Sequence, residues 1–414
     1  MDGIILIHTP APELQEDRLE PPLGLLYLAT YLREHGINAQ VVDLSGQKRW
    51  EIPYSKYYGF STYSANYRRT LQIKENYINP NAITIAGGPH ASALPEEVAK
   101  EFDYVIVGEG EIALLSLLQN PQENIIIGNP ISNLNQLPYP DYSLVDVASY
   151  KRKVAGKHSF SILSTRGCPY ECLFCNSNIM GGHQRIRFRS PQNVIGEIET
   201  LLNQYNDVAF RFQDDVFGLS KRWLVDFTNL AKPLNITYRA FVRANQCAVD
   251  GFTDLLYEGG CKHVSLGIES GSEQILQAMQ KGQTVEDGIK GIANAKQSGL
   301  IVRIYLIVGF PGETWDTVKE TVDFVDKTRP DEFVVYPLIP YPGTPLYHSP
   351  QWYGLKNING DFTKYFQIYG DKKSHFVYDL EYADRNELQA MKDYVVNELE
   401  KRKLSWAIDS KGYV

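Results

Sequence analysis

Three of the five cysteines of the chain lie within eight residues of one another. Cys168, Cys172 and Cys175 follow a C-x3-C-x2-C spacing, and Gly167 and Pro169 interrupt regular structure around the first of them. Three thiolates on one loop can bind one face of a 4Fe-4S cluster, which leaves one iron for a small molecule to chelate. The spacing therefore predicts an iron-sulfur site with an open coordination position.

Two other uses of these cysteines agree less well with the sequence. A structural zinc site normally takes a fourth ligand from a second C-x2-C or an H-x3-5-H pair, and neither stands beside the triplet. A disulfide scaffold is typical of short secreted chains, whereas this chain has five cysteines in 414 residues. The iron-sulfur interpretation is therefore favoured.

The cysteine loop resembles the signature of the radical S-adenosylmethionine (SAM) superfamily. An aromatic residue, Phe174, precedes the third cysteine, and a predicted strand at 160–165 precedes the first. In that superfamily the open iron binds the amino and carboxylate groups of SAM, and an electron from the reduced cluster cleaves the sulfonium to give a 5′-deoxyadenosyl radical. The resemblance implies a 4Fe-4S cluster and SAM as cofactors, Phe174 beside them, and a flavodoxin or ferredoxin-type electron donor.

Strands and helices alternate around this loop. Helical spacing of apolar residues follows Ser190 and Pro191, which suit the N-cap and first helical positions, and a capping box begins at Thr284. Residues 159–340 hold about six βα units of roughly 30 residues, fewer than a complete (β/α)8 barrel needs. The pattern predicts a partial (β/α)6 barrel with its active site at the carboxyl ends of strands at 160–165, 208–213, 236–242, 263–268, 301–308 and 333–339.

The second of these strands ends in three polar residues. Gln213, Asp214 and Asp215 occupy the place where the resembled family often contacts the amino group of SAM, and an ammonium is well served by such acceptors. For any one of them the alternative is a cap on the helix that begins near Ser220.

Later strands provide further candidates. Arg243 and Asn245 follow the third strand, and Glu269 and Ser270 belong to a G-x-E-S-G segment that resembles the one approaching the ribose in relatives. Arg303 on the fifth strand is expected to pair with the methionyl carboxylate, because a guanidinium binds a carboxylate with two hydrogen bonds. The alternative for Arg303 is an ion pair with a neighbouring acidic residue.

Two cysteines lie outside the loop. Cys247 follows the third strand on the catalytic side, where a thiol can donate a hydrogen atom to a substrate radical, and it is the candidate catalytic residue. Cys261 precedes the fourth strand at the opposite end, and we expect it to be a small packed residue.

The first 120 residues form another alternation of strands and helices. Strands are predicted at 4–8, 39–44, 57–63, 82–86 and 104–107, with helices at 23–35, 68–77 and 95–101. This order predicts a Rossmann-like, doubly wound parallel sheet that binds ligands beyond the carboxyl ends of its strands. Gly87, Gly88, His90 and Glu109 would then lie at the binding edge.

Three segments here, G-G-P-H-A-S, V-G-E-G-E and P-P-L-G-L-L-Y-L-A, resemble the cobalamin-binding domain that precedes the radical module in one branch of the superfamily. The resemblance implies cobalamin as a third cofactor. However, the second strand is followed by D-L-S-G-Q-K rather than by the Asp-x-His-x-x-Gly motif that ligates cobalt elsewhere. Only about a dozen residues (45–56) precede the third strand, too few for an ordinary crossing helix with its loops. Cobalamin binding and a domain that only packs against the barrel both stay open.

The predicted organisation has four parts: a cobalamin-binding-like domain at 1–120, a linker at 121–158, the radical SAM partial barrel at 159–345, and a small helical cap over the barrel mouth at 346–414. The net charge of −8 gives no global basic field for nucleic acid or anionic membrane. There is no apolar run of about 18 residues, and the first residues lack the basic region of a signal peptide. We therefore expect a cytoplasmic enzyme without nucleic-acid or membrane partners.

These features predict an enzyme that functionalises an unactivated carbon of a small-molecule substrate. With cobalamin, the expected outcome is methyl transfer that consumes a second SAM. Without it, dehydration, epimerisation or another rearrangement is expected. A non-enzymatic electron-transfer protein is a third hypothesis, which the long barrel disfavours.

Overall fold

The computed structural model describes residues 3–11, 16–120, 123–177, 179, 186–366 and 375–406. The elements of the amino-terminal part are β1 (Ile4–His8), α1 (Leu23–Glu34), β2 (Ala39–Asp43), β3 (Tyr57–Ser61), α2 (Tyr67–Tyr77), β4 (Ile83–Gly87), α3 (Pro89–Ala93), α4 (Pro95–Val98), β5 (Tyr104–Val107), α5 (Glu111–Gln119) and β6 (Ile125–Ile127).

These strands form one parallel sheet with the order β2-β1-β3-β4-β5-β6. Side chains alternate between its faces, so that Ile4 and Leu6 enter one apolar cluster while Ile5 and Ile7 enter another. The order of the strands reverses between β1 and β3, and this is the switch point at which doubly wound sheets bind ligands. The predicted Rossmann-like sheet is confirmed.

Two connections differ from a regular βα alternation. Residues 44–56, between β2 and β3, contain no helix, and Leu44, Trp50 and Ile52 of this coil pack on one face of the sheet. The predicted linker does more than connect, because β6 lies within it and pairs with β5. Farther along the linker, the Tyr142 hydroxyl donates a hydrogen bond to the Ser161 carbonyl at 2.6 Å.

The second part begins with three short 3-10 helices, Leu134–Gln136, Tyr142–Leu144 and Val147–Ser149. Its further elements are β7 (Lys153–Val154), β8 (Lys157–Ile162), β9 (Thr165–Arg166), β10 (Arg187–Phe188), α6 (Pro191–Gln204), β11 (Val208–Phe212), α7 (Lys221–Ala231), β12 (Tyr238–Val242), α8 (Ala244–Cys247), α9 (Phe252–Glu258), β13 (Cys261–Glu269), α10 (Glu273–Ala278), α11 (Val285–Gln297), β14 (Ile301–Val308), α12 (Trp315–Thr328) and β15 (Glu332–Pro337).

Six parallel strands make the partial barrel, in the order β8, β11, β12, β13, β14, β15. The helices pack their apolar sides on the outside of this sheet in the largest buried cluster. Two predicted helix starts are confirmed, since the Ser190 hydroxyl accepts a hydrogen bond from the Asn193 amide and Thr284 forms a capping box with Asp287. Residues that follow the carboxyl ends of β8 and β11 line a cavity together with the amino-terminal part.

The carboxyl-terminal region contains α13 (Pro345–His348), β16 (Leu355–Lys356), β17 (Asp379–Leu380), α14 (Arg385–Lys401) and β18 (Ser405–Trp406). β18 joins the barrel sheet beside β15, and β7 pairs antiparallel with β8 at the other edge. The Tyr378 hydroxyl donates to the Gly309 carbonyl at 2.5 Å, which ties this region to the turn after β14. In the part of the chain that is described, no helix combines the length and apolarity needed to cross a membrane.

Candidate functional site

The cysteine loop follows β8 of the barrel and connects the two strands of a small hairpin. β9 pairs antiparallel with β10, and the loop lies between these strands. Cys168 and Cys172 are buried, whereas Cys175 is exposed. The Cys175 amide donates to the Cys172 carbonyl at 3.0 Å, and the Leu173 amide donates to the Met279 carbonyl at 3.1 Å. The loop is thus anchored to the segment that precedes α11.

The three thiols suit a 4Fe-4S cluster by their chemistry. They lie close enough to influence one another, because burial raises the pKa of the Cys168 thiol and the thiolates of Cys175 and Cys172 raise it further. Cluster binding must therefore displace protons from the loop. Among the described residues, no group of three or more His, Cys, Asp or Glu side chains is arranged so that it could hold a metal ion. The cysteine loop therefore supplies thiol ligands but not a preformed metal site.

Glu269 and Phe174 both contact the side chain of Lys281. Glu269 Oε1 accepts a hydrogen bond from Lys281 Nζ at 2.8 Å, and this nitrogen lies 5.6 Å from the centre of the Phe174 ring. Glu269 itself has a left-handed backbone, with φ 68°, at the end of β13. The two predicted residues are therefore brought together beside the cysteine loop.

Gln213 and Asp214 make different contacts although they are adjacent. Gln213 Nε2 donates to the Ser161 hydroxyl at 3.0 Å and to Glu20, which reaches the barrel from the segment before α1. Asp214 is buried, and its carboxylate accepts hydrogen bonds from the Ser164 amide at 3.2 Å and the Ser164 hydroxyl at 2.6 Å. Asp214 therefore fastens the start of the cysteine loop to β11.

Asp215 is the exposed one of these three residues. Partial burial raises its pKa to about 6, with a further contribution from Asp214. Its charge also acts on Cys168. A carboxylate in this position can accept hydrogen bonds from a cationic group bound beside the loop.

Ser270 and Arg303 lie in buried contacts with protein groups. The Ser270 hydroxyl is 3.2 Å from that of Thr321 and accepts from the Ser272 amide at 3.1 Å. Arg303 Nε donates to Glu332 Oε2 at 2.5 Å, in the amino-terminal half of β14. The structure thus shows the ion pair that was the alternative for Arg303, because this register places the side chain far down the strand from its carboxyl end.

Cys247 does not reach the site, which corrects its prediction as a hydrogen-atom donor. Its side chain is 0% exposed in the core between α8 and α11, where its Cβ lies 3.2 Å from the position that a Cβ on Gly291 would take. Burial raises the pKa of this thiol strongly. Cys261 is also buried, as the sequence predicts.

A cavity of 490 Å³ separates the first sheet from the cysteine loop. Both halves of the chain line it. The amino-terminal half contributes residues at the ends of β1, β3, β4 and β5 and at the starts of α1 and α5, among them Gly87, Gly88 and Glu109. The barrel half contributes Leu163, Thr165, Arg166, Gly167, Asn176, Ser177, Gln213 and Asp215.

The sheet side of this cavity fits a large flat ligand such as cobalamin. Six glycines line it, and a Cβ added at Gly87 would meet only one atom within 4 Å, the Ile106 carbonyl oxygen at 3.9 Å. Bare backbone at the switch point lets a broad ring approach closely. Residues 44–56 do not line the cavity, so the short connection that raised doubt leaves this side intact.

His90 lies behind the binding edge rather than in the cavity. It is 1% exposed, its Nδ1 is 3.0 Å from the Ser64 hydroxyl, and its ring packs 4.2 Å from Tyr67 and 5.0 Å from Phe362. Burial lowers its pKa to about 4. The aromatic contact with Phe362 joins α3 to the carboxyl-terminal region.

Glu109 forms an ionic link between the halves. It accepts hydrogen bonds from Arg187 Nη1 at 3.0 Å and the Ile131 amide at 3.1 Å, and Arg166 Nη1 lies 3.2 Å away. Burial alone would raise the pKa of Glu109, but the hydrogen bond from Arg187 and the charge of Arg166 outweigh it and lower the pKa. Arg166 also pairs with Glu111 at 2.6 Å.

Several residues that shape the site were not predicted. They are Glu20, Arg166, Tyr170, Arg187 and Lys281. Their partners lie far away in the sequence or, for Lys281, twelve residues away, so no local spacing identifies them. The sequence pointed only to Arg166 and Tyr170, which lie within two residues of Cys168 along the chain.

Two family descriptions match separate parts of the chain. The radical SAM superfamily matches residues 162–325, and the B12 binding domain matches residues 18–118. The first range covers most of the barrel and the second covers most of the first sheet, and both parts line the cavity. The B12 match favours the cobalamin-binding interpretation over a domain that only packs.

Similar proteins cover most of the chain. An uncharacterized methyltransferase of Pyrococcus horikoshii is 32% identical over 362 residues, 79% of this chain and 78% of that protein. The bacteriochlorophyllide d C-8(2)-methyltransferase of Chlorobaculum tepidum is 28% identical over 74% of this chain and 70% of that protein. The structure of the radical SAM methyltransferase TsrM from Kitasatospora setae, with cobalamin and a 4Fe-4S cluster bound, has a TM-score of 0.67 at 19% identity over 86% of this chain and 76% of that one. This last likeness shows the fold.

Proposed function

We propose that this chain, which belongs to the radical SAM superfamily and carries a B12-binding domain, transfers a methyl group to an unactivated carbon of a small-molecule substrate. Its cofactors are a 4Fe-4S cluster, SAM and cobalamin. When bound, the cluster and SAM supply a carbon radical, and cobalamin supplies the methyl group. The names of the similar methyltransferases support this reaction over dehydration or epimerisation.

The observation that carries the proposal is the shared cavity. Gly87 and Gly88 line it from the B12-binding side, while Thr165, Gly167 and Asp215 line it from the barrel side. A substrate in this space contacts both halves at once. Methyl transfer requires a radical carbon and a methyl donor to meet, and a space lined by both halves allows this.

The chain's own residues have three tasks in this proposal. Cys168, Cys172 and Cys175 hold the cluster, and Asp215 with Gln213 accepts hydrogen bonds from the amino group of SAM. Apolar side chains at the cavity wall, among them Leu23, Leu28, Phe60, Ile106 and Leu163, exclude water from the reacting carbon. A flavodoxin or ferredoxin-type protein supplies the electron.

The test is a product count under anaerobic conditions. The reconstituted protein is incubated with SAM, dithionite and hydroxocobalamin, together with candidate small molecules, and 5′-deoxyadenosine and S-adenosylhomocysteine are quantified. Methyl transfer predicts that both accumulate with a methylated product and that S-adenosylhomocysteine depends on cobalamin. If 5′-deoxyadenosine forms equally well without cobalamin and no S-adenosylhomocysteine appears, the methyltransferase proposal is wrong.

A further inference from the structure

An arginine that follows the third strand of the barrel contacts the cysteine loop. Arg243, directly after β12, places its guanidinium carbon 3.5 Å from the centre of the Tyr170 ring. Its Nη1 donates to Cys172 Sγ at 3.8 Å, within the range of a hydrogen bond to sulfur. The side chain is 4% exposed, so this contact is shielded from bulk water.

Several contacts hold this guanidinium in place. Its Nη2 donates to the Lys281 carbonyl, and its Nε lies 3.4 Å from Asn245 Oδ1. The Arg243 amide donates to Gln246 Oε1 at 2.9 Å, which fixes the turn into α8. Tyr170 covers one face of the guanidinium plane. The N–H group is therefore aimed at the sulfur by a rigid frame.

Arg243 and Lys281 differ in whether a carboxylate neutralises their positive charge. Lys281 pairs with Glu269 at 2.8 Å, whereas no carboxylate forms a salt bridge with Arg243 among the residues that the structure describes. The group beside it that becomes an anion is the sulfur of Cys172, at 3.8 Å, because metal binding releases the thiol proton to solvent. A positive charge in a shielded position acts more strongly than one in water.

We propose that Arg243 raises the reduction potential of the cluster through an N–H···S hydrogen bond to Cys172. Uptake of one electron from a flavodoxin or ferredoxin-type donor adds a negative charge to the cluster and its thiolates, and no bond is formed or broken. A hydrogen-bond donor and a positive charge at a ligand sulfur stabilise that reduced form more than the oxidised form. Arg243 is a positioning residue that acts through Cys172, and the proposal does not depend on methyl transfer.

The test compares reduction potentials of reconstituted proteins. Arg243→Gln removes the charge and the stacking, and we expect its cluster to be at least tenfold harder to reduce, a drop of about 59 mV for one electron. The potential is measured by redox titration with electron paramagnetic resonance detection, after iron and sulfide analysis has established equal loading. The matched control is Arg222→Gln, an exposed arginine of α7, which should leave the potential unchanged. An equal potential in fully loaded Arg243→Gln overturns the proposal.

A second measurement does not depend on how a variant folds. Protein labelled with [15N]arginine is reduced, and its nitrogen couplings to the cluster spin are recorded by pulsed electron paramagnetic resonance. A weak 15N coupling that is absent from Arg243→Lys is the expected result, because position 243 then carries no 15N label while the other arginines keep theirs. If the unsubstituted labelled protein shows no 15N coupling, Arg243 does not contact the cluster ligand and the proposal fails.

Discussion

Two adjacent carboxylates show how strongly position governs the role of a residue. Asp214 is buried and accepts hydrogen bonds from Ser164, whereas Asp215 opens into the cavity beside the cysteine loop. Burial raises the pKa of both. The sequence D-D cannot distinguish them, because both follow the end of β11 at Phe212 and no periodic pattern sets the directions of their side chains. The geometry leaves Asp215, with Gln213, as the candidate SAM contact.

The cysteines provide the first prediction. Alanine at Cys168, Cys172 or Cys175 removes one of three cluster ligands, so each variant should lose nearly all iron and form no 5′-deoxyadenosine. Cys247→Ala and Cys261→Ala are the matched controls, because both thiols are buried in the core away from the loop. Iron analysis and the visible spectrum distinguish the two groups. Retention of a normal cluster in a loop variant would show that another residue replaces the lost ligand.

His90 provides a prediction about pH. Its pKa is lowered from 6.5 to about 4 by burial, so below pH 6.5 the unfolded chain binds a proton that the folded chain does not. Folded-state stability is therefore lost as the pH falls from about 6.5 toward 4. Between pH 7 and pH 5 the loss from this group is about 2 kcal/mol, at 1.36 kcal/mol per pH unit below the unfolded pKa.

The measurement is thermal or urea unfolding at pH 7 and pH 5. His90→Gln lacks the titrating ring, so its stability should change less between the two pH values than that of the unsubstituted protein. His35→Gln, at an exposed position after α1, should behave like the unsubstituted protein. Equal pH dependence in all three proteins would mean that His90 is accessible to protons in the folded state.

At the scale of elements, Glu109 couples the loop after β5 to the hairpin that carries the cysteine loop. Glu109→Gln leaves Arg187 without its carboxylate and weakens the hold on Arg166, so we expect a loss of about 3 kcal/mol, the lower end for breaking a buried ion pair. For a chain of this size that corresponds to a fall of roughly 3 °C in the unfolding midpoint. Differential scanning calorimetry of the cofactor-free protein measures it.

The cofactor-free condition separates two roles of Glu109. The sequence predicts it as a cofactor contact, and a residue that acted only through a bound cofactor would leave the midpoint of the free protein unchanged. Glu34→Gln, an exposed carboxylate of α1, is the control and should shift the midpoint by less than about 1 °C. A shift as small in Glu109→Gln would contradict the ionic link.

Elements with strong periodicity could be predicted from the sequence. The strands Ile4–His8, Tyr104–Val107 and Ile301–Val308 lie where the apolar runs place them. The sequence did not reveal β6 in the linker or β18 at the barrel edge, because both are two or three residues long and exist only through pairing with a distant strand. Arg303 shows the same limit in the site, since its place along β14 depends on register with β13 and β15.

At the scale of the whole molecule, the cavity exists only because two separately wound sheets face each other. The first sheet supplies a glycine-rich edge, and the barrel supplies the cysteine loop. Each half is recognisable from its own motifs, but the space between them depends on contacts such as Glu20 with Gln213 and Glu109 with Arg187. These contacts join residues 193 and 78 positions apart, beyond the reach of any local pattern.

Gly87 allows the role of this cavity to be tested without disturbing the fold. A side chain at Gly87 has room at its Cβ, and the residue ends β4 without a left-handed backbone, so Gly87→Leu should fold and place its apolar side chain in the cavity. We expect the variant to lose hydroxocobalamin on gel filtration, as judged from the corrinoid absorption bands. The unsubstituted protein should retain it and gain about 2.7 kcal/mol of stability when free cobalamin is 100 times its dissociation constant.

The control for this experiment is Gly360→Leu, at a glycine whose added Cβ would meet no atom within 4 Å and which lies outside the cavity. It should keep both the corrinoid bands and the stabilisation. Cluster content should be equal in all three proteins, because Gly87 belongs to the first sheet and the cysteines belong to the barrel. If Gly87→Leu binds cobalamin as well as the control does, the corrinoid binds elsewhere, and the cavity between the two halves is not the site of the reaction.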